Sequence, residues 1–292
     1  MKRIVLLLIV LSILFCFSAC SEETKGFPSP TSYASNSRSG DEKSSDSIEE
    51  SEYSINTEIG DEVETELPPV TEPVDYAADY EISDKYIFGS FEQDNDPSNG
   101  SEPITWIVLA KDHDRLLLLS EKALEYLPFN EDRQAIPWEN CTLRAWLNGE
   151  FLDSAFSDAE RAKIIRVTNQ NESNSRHGSL GGNATEDDVF LLSATDFSSY
   201  ISNQENYDSN APVLKYRFCY PTEFANERKE TYYVHTVDDE FSWWLRSPGT
   251  GYTGQYTEYC SFVDMWGSIN LFGELVSNYH GVRPAIWISL VP

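Results

Sequence analysis

Ser242-Trp243-Trp244-Leu245-Arg246-Ser247-Pro248-Gly249 decides the reading of the fold. Its counterpart closes the chain: Gly281-Val282-Arg283-Pro284-Ala285-Ile286-Trp287-Ile288-Ser289-Leu290. Both are short apolar runs rich in Trp and aliphatic residues, each broken by one Arg and one Pro. Such runs read as strands, the first stopped by Ser247-Pro248-Gly249. An arginine inside an apolar strand needs partners, because an unpaired buried charge is costly. Arg246 and Arg283 are therefore expected in one core with Trp243, Trp244 and Trp287, as the polar knot of the fold or as part of a ligand site.

Outward from these runs, residues 83–292 read as a single globular domain, holding all seven Trp and 32 acids against 16 bases. Residues 86–91 form a first strand, and 104–110 with 115–119 a hairpin. A short helix is expected over 120–125. A better one covers 141–148, with Leu143, Trp146 and Leu147 on one face, Asn140 as cap and Gly149 as stop. Ser157-Asp158-Ala159-Glu160 fits a capping box. Residues 168–187 are a long polar loop, of a kind usually tied to function. Residues 189–192 read as a buried strand, Ser193 and Asp196 as the start of a helix, and 216–220 as a strand. Residues 261–266 and 269–276 form a hairpin turning at Gly267-Ser268. Short helices early and strands late give an α+β class with a mostly antiparallel sheet.

Ahead of the domain the chain changes character. Lys2 and Arg3 precede an apolar run over 4–17, and Ser18-Ala19 lead into Cys20. The run is short for a spanning helix, and 1–20 has the layout of a cleaved export signal. Phe17-Ser18-Ala19-Cys20 resembles the bacterial lipobox, in which the Cys is lipidated. A palmitate-type anchor on Cys20 would hold the protein on the outer face of the membrane, at roughly 0.8 kcal/mol per buried methylene. Residues 21–82 carry 17 acids against 3 bases and few aliphatics. That composition cannot offset the entropy of ordering, so a disordered acidic tether is expected, with the domain extracellular. The net charge of -28 argues against nucleic acid as a partner.

The sequence carries no active-site pattern. No Gly-x-Ser-x-Gly elbow is present, and His113, His177, His235 and His280 lack metal-ligand spacing. No cofactor is expected. Calcium has only a superficial cue in Asp94, Asp96 and Ser98, since the EF-hand glycine position holds Asn99 and its terminal Glu position Thr105. Cys141 reads as a buried thiol, and Cys219–Cys260 is the first disulfide to examine in an exported domain. The late segment interleaves Tyr252, Tyr256, Trp266 and Phe272 with short polar side chains, as a sugar or peptide site requires. Trp266 and Asp264 are its candidate ligand-binding side chains.

Three motifs together carry a resemblance: Trp138-Glu139-Asn140-Cys141-Thr142-Leu143-Arg144-Ala145-Trp146-Leu147, Trp243-Trp244-Leu245-Arg246-Ser247-Pro248-Gly249 and Gly281-Val282-Arg283-Pro284-Ala285-Ile286-Trp287. They resemble an uncharacterised family of exported bacterial domains, common in gut Firmicutes and classed only as a domain of unknown function. The likeness spans 86–290 and implies no activity or site residue. At the level of fold alone, the closing layout is similar to C-type-lectin-like domains and their sulfatase-modifying relatives. The copper-dependent sulfatase modifiers need a close pair of reactive cysteines near the C-terminus, which Cys260 alone does not make.

The expected protein is a surface lipoprotein carrying a binding module for a glycan or an exposed peptide. Its site would be built by loops 168–187 and 249–259 around the Trp-Trp strand. An exported hydrolase and a ligand-free structural envelope protein are the alternatives. Two carboxyls meeting in a cleft about 5–10 Å apart would mark the hydrolase.

Overall fold

The structure is a computed structural model and describes residues 74–202, 212–232, 241–251 and 254–292. Cys20, the export signal, the tether up to residue 73, His235 and Tyr252 lie outside the described residues.

β2 (Glu102–Asp112) and β3 (Arg115–Ser120) are apolar along most of their length and buried at their centres. Such near-continuous runs belong to strands covered on both faces. β1 (Lys85–Phe91) pairs with β2 and β2 with β3, and β12 (Ala285–Ser289) and β5 (Ile164–Ile165) complete an antiparallel five-stranded sheet. A second five-stranded sheet is ordered β10 (Ile269–Leu275), β9 (Tyr259–Val263), β8 (Trp243–Pro248), β11 (Tyr279–Val282) and β4 (Glu125–Pro128). Its pairs are antiparallel except β8 and β11, which meet in parallel at Trp243 and Gly281. β6 (Val167–Asn169) and β7 (Thr185–Asp187) make a separate pair. With several short helices, the class is α+β with mostly antiparallel sheets.

The closing run 281–290 is not one strand, as the sequence reading has it, but two. The chain leaves one sheet after β11 and enters the other at β12, crossing at Arg283-Pro284. β3 and β4 make the same crossing alongside, so a two-stranded ribbon bends there. Ser120 N donates to Pro284 O at 3.0 Å and Leu124 N to Val282 O at 3.0 Å across the bend. Pro284 has no N–H to leave unpaired where the ladder breaks. The helix expected over 120–125 is this bend, followed by β4.

α1 (Thr142–Trp146) continues through a π turn (Leu147–Phe151) into α2 (Leu152–Ala155). Gly149 therefore lies inside the helical stretch and does not stop it. Cys141, not Asn140, is the cap, its sulfur accepting from Arg144 N at 3.4 Å. Capping boxes at Ser157–Glu160 and Ser193–Asp196 open α3 (Asp158–Arg161) and α4 (Ala194–Phe197) as expected. A 3-10 turn, Pro212–Arg217, replaces the strand expected over 216–220, and α5 (Glu223–Tyr232) follows. Residues 189–192 are buried and, among the described residues, make one bridge, Phe190 with Ala285. Packing begins before the expected boundary at 83: Ala77 is buried, and its N donates to His113 O at 3.1 Å.

Trp106, Trp138, Trp243 and Trp244 are the large side chains of the core, each fully buried. Each contributes roughly 4–6 kcal/mol as an upper estimate, from about 150–250 Å² at about 25 cal/mol per Å². Their N–H groups are satisfied: Trp106 Nε1 by Phe88 O at 2.7 Å, Trp244 Nε1 by Leu127 O at 3.0 Å, and Trp243 Nε1 by Arg217 O at 3.3 Å.

Candidate functional site

The two loops expected to form a site meet. Loop 170–184 springs from the β6–β7 pair, whose base is fixed by one buried carboxylate. Asp187 accepts from Arg144 Nε at 2.6 Å, Thr185 Oγ1 at 2.7 Å, Asn169 Nδ2 at 2.9 Å and Trp138 Nε1 at 3.1 Å. Four donors, one of them a guanidinium, offset the cost of burying that charge.

Asn174 does the same at the loop's far end. Its Nδ2 donates to Pro248 O, Leu271 O and Gly249 O at 2.8, 2.9 and 3.2 Å, and its Oδ1 accepts from the N–H of Arg176 and of His177 at 3.0 Å each. Ser179 Oγ also donates to Gly249 O. Backbone bonds join the loops directly: Leu180 N to Gln255 O at 3.0 Å and Gly254 N to Gly178 O at 2.9 Å. Gly249 N donates to Tyr259 O and Thr250 N to Phe272 O, both at 2.7 Å, tying the knot to β9 and β10. The approach is so close that a Cβ on Gly249 would lie 2.7 Å from Phe272 O.

This knot carries exposed apolar side chains. Phe272 is 53% exposed, Tyr256 42% and Leu180 38%. The guanidinium of Arg176 lies 5.1 Å from the Phe272 ring centre, and the His177 ring 4.5 Å from it. His177 Nε2 is buried without a hydrogen-bond partner among the described residues. Beneath the knot, a crevice lined by Pro137, Trp138, Gly181, Arg246 and Tyr259 is too narrow to hold a water molecule.

The other expected residues lie elsewhere. Arg283 is fully buried: Nε and Nη2 donate to Ser120 O at 3.1 and 2.9 Å, Nη1 to Tyr216 O at 2.7 Å, and its guanidinium lies 4.7 Å from the Trp243 ring centre. Arg246 donates from Nη1 to Leu191 O at 2.7 Å and to Asp196 Oδ2 at 2.5 Å, while its buried Nε has no partner among the described residues. Trp287 is half-buried beneath the Arg115 guanidinium, 4.9 Å away. Trp266 is 69% exposed in the β9–β10 turn, which packs on Arg217 rather than on the loop knot. Asp264 is occupied in closing that turn, accepting from Trp266 N at 3.0 Å and Ser268 N at 2.9 Å. Trp266 and Asp264 thus sit together on the β9–β10 turn. Nothing periodic in the Asn/Ser/Gly-rich loop marks Asn174, Arg176 or His177 in the sequence.

Cys219 and Cys260 are both free and buried, so the disulfide considered between them is not formed. Burial pushes the thiols of Cys141 and Cys219 up to about 12 and about 11, and raises that of Cys260 as well. None offers a thiolate at neutral pH. His280 is neutral: burial pushes it down to about 3, its Nδ1 pairs with Ser242 Oγ at 2.6 Å, and its ring centre lies 4.3 Å from that of Trp244. Glu92, Asp94 and Glu102 bring carboxylate oxygens within 4.8 Å of one another, on an open surface turn rather than in a cleft. Their oxygens already accept from the N–H groups of Gln93, Asp94 and Asp96 and from Asn99 Nδ2. No helix among the described residues is long and apolar enough to cross a membrane.

The model of one protein family, described as a domain of unknown function (DUF6273), matches residues 113–290, from the β2–β3 turn to the end of β12. No curated protein and no solved structure matches the chain.

Proposed function

The chain belongs to the DUF6273 family, a domain of unknown function, and from that premise we propose that it is a binding module whose ligand face is the loop knot and whose ligand class is carbohydrate. The observation that carries the reading is Phe272, an aromatic ring 53% exposed on a backbone fixed from both sides. Sugar rings bind against exposed aromatic faces, and a fixed loop avoids the entropic cost of ordering on binding. Tyr256 and Leu180 are further exposed apolar side chains of the same two loops. A lectin-type use of loops on an antiparallel scaffold fits this arrangement. The hydrolase alternative gains nothing from the carboxylates that converge, because they do so on an open turn.

The proposal includes presentation outside the cell by a lipid on Cys20. A glycan array probed with the full chain should show saccharide binding that Phe272→Ala reduces at least 10-fold. Absence of binding to every glycan and wall fragment, with or without calcium, would sink the ligand-face reading. Labelling cells with a radioactive fatty acid should mark the protein and fail to mark Cys20→Ala; label retained by that variant would remove the anchor.

A further inference from the structure

We infer that the saccharide bound at this face carries a carboxylate, gripped by the guanidinium of Arg176 beside the Phe272 ring. The inference rests on the reading of the loop knot as a ligand face.

Its basis is the pairing of arginines. Among the described residues, Arg115, Arg133, Arg144, Arg161, Arg166 and Arg246 each hold a carboxylate, and Arg228 lies against the Glu125 carboxyl. Arg283 is fully buried on carbonyls, and Arg217 is partly buried with its alkyl stem against the β9–β10 turn. Arg176 is exposed and has no acidic partner among the described residues. In a chain of net charge -28, where acids outnumber bases 49 to 21, an exposed guanidinium without a carboxylate is out of character. It is also placed with care. The backbone N–H of Arg176 is held at 3.0 Å by Asn174 Oδ1, and Asn174 is itself anchored on three carbonyls. The side chain lies over Phe272, where stacking on the ring limits its freedom and leaves its planar edge for a ligand.

A guanidinium edge matches a carboxylate with two parallel hydrogen bonds, and the neighbouring ring offers a face to the sugar. The acidic remainder of the molecule does not forbid such a ligand. Charges more than about 8 Å away are largely screened at physiological salt, whereas the direct contact is not.

The test is calorimetric titration of the full chain with glucuronyl, galacturonyl, sialyl and N-acetylmuramyl oligosaccharides, each beside its methyl ester. The ester keeps the shape and removes the charge. At least one acid should bind, with its ester roughly 10- to 100-fold weaker, the worth of one charge-assisted contact. Arg176→Gln should erase the difference between acid and ester, and Arg176→Lys should restore part of it. Arg176 is exposed, so an unchanged melting temperature in both variants is expected. Acid and ester bound equally, or an acid preference that survives Arg176→Gln, would overturn the inference while leaving the saccharide face standing. No saccharide bound in either form overturns both.

Discussion

Arg283 gives its donors to carbonyls of Ser120, Glu121 and Tyr216, with no ion pair to a carboxylate among the described residues. Burial lowers the pKa of this guanidinium from its ordinary value, yet a group that basic stays charged. The carbonyl dipoles of the bent ribbon and the face of Trp243 stand in for a counter-ion. Arg283→Met should cost about 3–5 kcal/mol, because it strands those carbonyls in the core. Arg283→Lys should recover little, since one ammonium cannot reach three carbonyls spread around a planar fork. Urea midpoints of the two variants measure this, and a loss under about 1 kcal/mol for Met would refute the account. Both core arginines were legible in the sequence, because a charge inside an apolar run demands an explanation. Asn174 was not: its partners Pro248 and Leu271 lie 74 and 97 residues away, beyond any local pattern.

At the scale of elements, strands were easier to read than the places where they change sheet. The hairpins and both capping boxes follow from short-range chemistry. The split of the closing run does not, because Val282 and Ala285 are equally apolar and only the partner strands differ. The expected helix over 120–125 failed for the same reason: the ribbon's bend is set by Arg283, 163 residues on from Ser120. One amide, that of Asn174, ties loop 170–184 to β8 and β10. Asn174→Ala should speed hydrogen exchange at the N–H groups of Arg176, His177 and Gly178 by at least 10-fold and lower stability by about 1–3 kcal/mol. Unchanged exchange there would show that the backbone bonds alone hold the knot.

Across the whole molecule, two buried groups oppose each other in their response to pH. Burial pushes the Glu125 carboxyl up to about 7 from 4.5, despite the Arg228 guanidinium 3.1 Å away, and pushes His280 down to about 3 from 6.5. Glu125 stays protonated in the fold while the unfolded chain ionises, so its share of stability is complete below pH 4.5 and lost as pH rises through 7. His280 stays neutral in the fold while the unfolded chain takes up a proton, so its share is complete above pH 6.5 and lost as pH falls through 3. Between 4.5 and 6.5 the two slopes cancel. Glu125→Gln leaves His280 unopposed, so stability relative to the parent should climb by about 1.4 kcal/mol per pH unit across that window. Urea unfolding at several pH values reads the slope, and parallel curves for parent and variant would contradict it. β11 lies between β8 and β4, and β12 between β3 and β5, so the latest strands in the order of the domain fill interior positions in both sheets. A nascent chain lacking residues 279–289 has two open gaps and no closed core. Both sheets can therefore close only once residues 279–289 have been made.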